Sequence, residues 1–254
     1  MKRFPLILLL LPLIFSCVGQ KDDEDELPPD TPVAPADAAG QSLLIDFTAT
    51  WCVNCPRMSS AVEEAVAERP GSIVPLCVHY ADALACADGN SLVTLFGVQA
   101  YPSAVIDMDP SSLTTATSKD ILLSRIDERA SLKRPACTLE ATAASPSGGR
   151  LEASVSVTAR AAGEYRLWVL LVEDGIVAPQ TGGSETQVHN HVLRRFLHTG
   201  SGGYALGTLS DGASGSWEAS FDGLSLDGCR LVVFVTEADT SLVNAVLSVP
   251  VEAA

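Results

Sequence analysis

The sequence predicts an α/β domain with a buried parallel sheet, followed by an all-β domain of antiparallel strands. Three observations carry that expectation. Between Gln41 and Leu132, short apolar runs alternate with stretches whose apolar residues recur at helical spacing. After Pro135 the pattern changes to short runs of alternating polar and apolar residues, broken by Gly, Ser and Asp. Ahead of both lie an apolar leader and an acidic, proline-rich stretch with almost nothing to bury.

The leader comes first. Lys2 and Arg3 precede an apolar run from Phe4 to Phe15 that ends at Ser16-Cys17, the layout of a cleavable export signal over residues 1–16. The run is too short for a permanent membrane helix. Ile14-Phe15-Ser16-Cys17 resembles a bacterial lipobox, which makes Cys17 the lipidated residue and the membrane anchor. The alternative is a generic secretory peptide with an ordinary cysteine. Residues 17–40 then read as a disordered tether with a reach on the order of 25 Å. Within it Gln20-Lys21-Asp22-Asp23 resembles the short signal that sends some Bacteroidetes lipoproteins to the outer face of the outer membrane; a solvated charge run is the alternative. The 16 basic residues less Lys2 and Arg3 leave 14 against 31 acidic ones, a formal charge of −17. Such a surface excludes nucleic acid and anionic lipid headgroups as natural partners.

About 215 residues follow the tether, and the change of pattern divides them into domains over residues 41–134 and 135–254. In the first, "SLLIDF" is a buried strand. "CPRMSSAVEEAVAERPG" is a helix with Ala61, Val62, Ala65 and Val66 on one face, stopped at Pro70-Gly71. "SIVPLCVHY" is a second strand, "NSLVTLFGV" a short helix capped by Asn90 or Ser91, and "SAVIDMD" a third strand entered through Tyr101-Pro102. "SLTTA" has the composition of a weak further strand, and "TSKDILLSRIDERASL" closes the unit as a helix facing inward through Leu122, Ile126 and Ala130.

The strand-to-helix junction carries "TATWCVNCPRM". A junction of this kind sets Cys52 at a helix N-terminus, where free N–H groups and the helix dipole lower a thiol pKa, so Cys52 is the candidate nucleophile. Cys55, one turn inside, is the resolving thiol of a mixed disulfide. Asp46, in an apolar strand, is expected to be desolvated and biased toward its neutral form. Trp51, Cys52 and Cys55, with Asp46 six positions before Cys52 and Pro102 entering a later strand, resemble the thioredoxin family over roughly residues 41–133. The resemblance implies that Asp46 helps deprotonate Cys55. It also makes Pro102 a cis-proline that leaves the Tyr101 backbone open to pair with an extended substrate, and puts Trp51 and Tyr101 at the substrate-binding surface. The chain departs from the family at Val53-Asn54, where reductants have Gly-Pro and oxidants often a histidine. No cation lies between the cysteines, and weakly reducing, isomerising and inert sites all stay open.

Four more cysteines, Cys77, Cys86, Cys137 and Cys229, form an even set in an exported chain, so structural disulfides are expected. Neighbourhood pairs Cys77 with Cys86 and Cys137 with Cys229, the second closing a loop worth about 4.5 kcal/mol. A rival reading lets Cys86 exchange with Cys55.

Beyond Pro135, "CTLEATAA", "GRLEASVSVTA", "YRLWVLLVEDG", "GSWEASFDG", "CRLVVFVTEAD" and "NAVLSVPV" are strands of an immunoglobulin-like sandwich. A long polar insertion spans residues 175–203. His189 and His191 there would share one face of a strand, but no other ligand accompanies them at metal spacing, so neither a metal nor a cofactor is expected. "LLVEDGIV" and "QVHNHVLRRF" resemble the Omp-twenty-eight-related outer membrane lipoproteins of Bacteroidetes, over the whole mature chain. That resemblance implies a thioredoxin-like domain followed by a β-sandwich on the outer membrane, with no settled activity.

Three functions follow. The first is a thiol–disulfide oxidoreductase acting on exported or surface proteins. The second is a surface binding module using the fold as a scaffold with a static disulfide, and the third is a structural subunit of an envelope assembly. Substrate, redox direction, electron partner and oligomeric state are left open.

Overall fold

The computed structural model describes residues 40–133, 136–200 and 202–253. The expected signal over 1–16, the lipid site at Cys17 and the tether up to residue 39 lie outside the described residues.

Strand β1 (Ser42–Thr48) is buried at every position because both its faces are covered. It pairs in parallel with β2 (Ile73–His79) and antiparallel with β3 (Ser103–Ile106). Helix α1 (Cys55–Glu68) carries Pro56 as its second residue, whose fixed φ and missing N–H suit a first helical turn. It buries Met58, Ala61, Val62 and Ala65 on one face of the sheet, together with Leu122 and Ile126 of α3 (Lys119–Leu132). Leu123 and Arg129 are the other buried positions of α3, while Ala130 is exposed. "SLTTA" contributes a single bridge, Thr114 to Ala104.

Helix α2 (Ala87–Leu95) begins earlier than expected, since Cys86 rather than Asn90 or Ser91 caps it: its Sγ accepts from the Gly89 N–H at 3.3 Å. Gly89 permits this, because a Cβ there would sit 3.2 Å from Val78 Cγ1.

The second half of the chain supplies β4 (Cys137–Ser147), β5 (Arg150–Ala159), β6 (Gly163–Glu173), β7 (Ile176–Ala178), β8 (Gln187–His189), β9 (Val192–Phe196), β10 (Tyr204–Leu209), β11 (Ser214–Phe221), β12 (Cys229–Glu237), β13 (Val243–Pro250) and β14 (Glu252–Ala253). It is β-rich, but its strands do not form a separate body. The main sheet runs β13-β12-β6-β9-β2-β1-β3, with β10 also on β6, so it passes through β9 into β2 and joins the two halves. The junction is a parallel pairing of Cys77 with Val192, reinforced by the Cys77 N–H donating to His191 O at 2.7 Å. The ends of the strand order also approach each other, for the Val243 N–H donates to Asp107 O at 3.0 Å.

Side-chain alternation divides the interior. Leu167, Val169 and Leu171 of β6, with Leu231, Val233 and Val235 of β12, pack against the second sheet, β11-β5-β4-β14. The intervening Trp168, Leu170, Val172, Val232 and Phe234 face Leu43, Ile45, Phe47, Leu76 and the apolar side of α2.

The expected structural disulfides are corrected by this arrangement: Cys77, Cys86, Cys137 and Cys229 are free thiols. Cys77 lies on the α1 face of β2, between Leu76 and Val78 of the opposite face, whereas Cys86 packs on that opposite face. The sheet itself separates the two. Cys137 adjoins Asn244 and Glu237 at the far end of β12, whereas Cys229 begins that strand. At about 3.3 Å per residue, the length of β12 far exceeds the reach of a disulfide.

The 175–203 segment is built rather than structureless. It contains the β7–β8 hairpin, in which Val177 pairs with Val188, followed by β9. His189 and His191 part company, because only His189 is on a strand and His191 follows with φ 63°.

Candidate functional site

At the end of β1 the chain turns through Thr48-Ala49-Thr50 and reaches Trp51 and Cys52 before α1 begins. The Cys52 N–H closes the turn on Ala49 O at 3.1 Å. Cys52 and Cys55 form a disulfide with Cα atoms 5.4 Å apart, Cys55 being the first residue of α1. The Asn54 side chain makes no cap bond; the Cys55 N–H closes on Cys52 O at 3.4 Å and the Arg57 N–H on Asn54 O at 3.1 Å, while Pro56 has no N–H to satisfy. Cys52 is 5% exposed and Cys55 1%.

The rings of Trp51, Tyr101 and Tyr80 border the pair. Trp51 meets Tyr101 edge-on at 5.5 Å, Tyr80 stacks on Tyr101 at 5.3 Å, and the Trp51 indole N–H donates to Tyr80 O at 3.1 Å. Tyr101 also packs on Ala49, Cys52 and Cys55. The peptide between Tyr101 and Pro102 is cis.

Asp46 projects from the α1 face of β1 and is fully buried, and neither carboxylate oxygen has a hydrogen-bond partner among the described residues. Burial pushes its carboxyl up to about 8, so it carries a proton at neutral pH. Its register neighbour on β2 is Cys77, whose thiol burial raises, with Asp46 adding to the effect.

Two site residues were missed in the sequence. Asp82 accepts from the Thr50 N–H and pairs with His79 Nδ1, both at 2.7 Å, and accepts from the Leu84 N–H at 2.9 Å. Burial alone would raise its carboxyl, but the bonds from His79 and Thr50 outweigh that and hold it below the usual carboxylate range. The D-x-L spacing in "HYADALA" is an Asx-type signal, though nothing local ties it to Thr50.

The second is Gln180, at the tip of the β7–β8 hairpin. Its side-chain amide donates to Cys52 O at 2.9 Å and to Ala49 O at 3.2 Å, while the Thr181 N–H donates to Thr50 O at 2.8 Å. Gly182, at φ 77°, lies so close to the cysteine loop that a Cβ would fall 2.4 Å from Val53 O. "PQTGGS" reads locally as a turn, which the Gly183 N–H to Gln180 O bond closes at 3.0 Å.

The base of the hairpin is held elsewhere. The His189 and His79 rings meet edge-on at 5.3 Å, and burial, then the nearby His79, lowers the His189 pKa. His191 instead joins Asp174 at 3.1 Å, Arg230 at 2.8 Å and Glu63 at 3.3 Å. Between α1 and this hairpin lies a cleft of about 500 Å³ whose walls include Ser59, Glu63, Cys77 and His189. Among the described residues, no three His, Cys, Asp or Glu side chains gather as a metal-ligand set, and no helix is long and apolar enough to cross a membrane.

The family described as Outer membrane protein Omp28 matches residues 89–253, and the thioredoxin family matches residues 35–128. Among solved structures, HBP35 of Porphyromonas gingivalis is similar with a TM-score of 0.70 and 18% identity, over 84% of this chain and 76% of that one. A protein of Agrobacterium tumefaciens is similar with a TM-score of 0.57 and 12% identity, over 84% of this chain and 95% of that one. At such identities the likeness speaks for the fold alone. No curated protein matches the sequence.

Proposed function

Starting from the fact that the chain belongs to the Omp28 outer membrane protein family, we propose that it is a lipid-anchored envelope protein that carries out thiol–disulfide exchange on exported or surface proteins. Cys17 is the proposed lipid site, and the acidic segment after it is the proposed route to the cell surface. The observation that carries the reading is the Cys52–Cys55 pair at the start of α1, bordered by the Trp51–Tyr101 rings and backed by the protonated, unpartnered Asp46.

From the oxidised state, a substrate thiolate attacks Cys52 Sγ. A mixed disulfide forms, the Cys52–Cys55 bond breaks, and Cys55 leaves as a thiolate that takes the proton of the Asp46 carboxyl. The substrate's second thiol loses its proton to solvent and attacks its own sulfur in the mixed disulfide, which releases Cys52. Two electrons thereby pass from the substrate dithiol to the pair. In the opposite direction the reduced Cys52 thiolate attacks a substrate disulfide; Asp46 gives its proton to solvent, and its carboxylate then takes the Cys55 proton as Cys55 resolves the intermediate. Turnover in either direction draws on an external thiol or disulfide as the second reactant.

The test is the reduction potential of the pair in the whole protein, read by thiol trapping after equilibration in redox buffers. A value of roughly −270 to −180 mV supports exchange. A value well below about −300 mV identifies a static staple and leaves the binding-module reading in its place.

A further inference from the structure

The hairpin tip that lies on the cysteine loop has no part in the exchange steps above, yet it makes three directed contacts there. We propose that Gln180, seated by Gly182, is a positioning residue that sets how readily the Cys52–Cys55 disulfide closes. The inference rests on the exchange reading for its purpose, although its physical claim concerns the pair itself.

The segment 49–54 joins β1 to α1; within it the Cys52 N–H donates to Ala49 O at 3.1 Å, and the Cys55 N–H at the start of α1 donates back to Cys52 O at 3.4 Å. The carbonyls of Ala49, Thr50 and Cys52 each receive a further donor from the hairpin, two from the Gln180 amide and one from the Thr181 N–H. Gln180 is itself buried and its backbone N–H is held by Ser184 O at 2.9 Å, so the amide is aimed rather than free. Gly182 packs against Val53 O with no room for a side chain. The loop that carries Cys52 is thus held from a segment 128 residues away, while Cys55 is held by α1.

Two sulfurs held on separately anchored elements have a high effective concentration toward each other, which favours the intramolecular disulfide and speeds resolution of a mixed one. Loosening one anchor lowers that concentration. The disulfide should then be easier to reduce, and mixed disulfides should last longer.

The experiment equilibrates the whole protein and three variants in dithiothreitol redox buffers, which read even a strongly reducing pair. Gln180→Ala removes the amide, and Gly182→Ala pushes the hairpin off Val53 sterically. Val177→Ala, on the exposed flank of the same hairpin, is the control. The expected result is a loss of about tenfold in the equilibrium constant for disulfide closure in both tip variants, a potential less negative by about 30 mV, with no change in the control. Wild-type constants within twofold in both tip variants overturn the inference. An exceptionally low wild-type potential that rises in the tip variants would sink the exchange reading and keep the clamp.

Discussion

At the residue scale the site turns on protons and sulfur. Asp46 holds its proton up to about pH 8 when folded but loses it near 4 when unfolded. Between those values the native state binds more protons than the unfolded one, so stability falls as pH rises from about 4 to about 8 and levels off above. Asp46→Asn removes this cost. The variant should exceed wild type in urea-unfolding free energy by an amount that grows across that window and is on the order of 4 kcal/mol at pH 7. Equal stability of the two at pH 8 would show that Asp46 is ionised without penalty. At the neighbouring sulfur, Cys52→Ser should abolish exchange with a disulfide substrate at every pH, and equal rates in wild type and variant would remove Cys52 as the nucleophile.

Among the elements, the end of α3 is tied to β1 and β3 through one buried ion pair. Lys133 Nζ lies 3.1 Å from Asp107 Oδ2, and the same carboxylate accepts from the Leu43 N–H at 2.8 Å and from the Ser42 hydroxyl at 3.3 Å. Burial pushes the Asp107 carboxyl up and the Lys133 ammonium down, with each partner opposing the other's shift. Removing one partner strands the other charge, so Lys133→Met should lower stability by about 3 kcal/mol while leaving the potential of the cysteine pair unchanged. A shift in potential would mean that α3 and the redox loop are coupled. The hairpin shows a different logic, since its short strands contribute little pairing and its tip does the contacting.

For the whole molecule, the decisive feature is the sheet that runs from β13 through β9 to β3. Leu43, Ile45, Phe47 and Leu76 find part of their packing on Trp168, Leu170 and Phe234 of the second half. A fragment of residues 40–133 would expose that apolar face and the β2 edge that β9 covers, so it should give no cooperative urea transition, whereas the chain from residue 40 onward should give one. A stable, cooperative fragment would show that β9 and its neighbours are accessory. The Omp28 match itself begins at residue 89, inside the first half, and so crosses the same junction.

Much of this was legible along the chain because it depends on neighbours in sequence. The apolar run at β1, the helical spacing of Ala61, Val62 and Ala65, and the Trp-Cys-x-x-Cys junction each express local backbone and burial preferences within a dozen residues. The runs "LWVLLV" and "LVVFV" also held a sign that went unread, since strands with one wet face alternate and these do not. What the chain order hid were relations between distant segments. Whether Cys77 meets Cys86 depends on which face of a strand each occupies. Whether Gln180 reaches Cys52 O depends on β9 pairing with β2, and no local pattern records a partner strand. The sequence by itself therefore determined the elements of the first half, the long strands of the second and the cysteine pair; the tertiary structure alone decided the short strands of the 175–203 segment, the free thiols, the shared sheet and the hairpin clamp, because long-range strand pairing places side chains that no spacing along the chain relates.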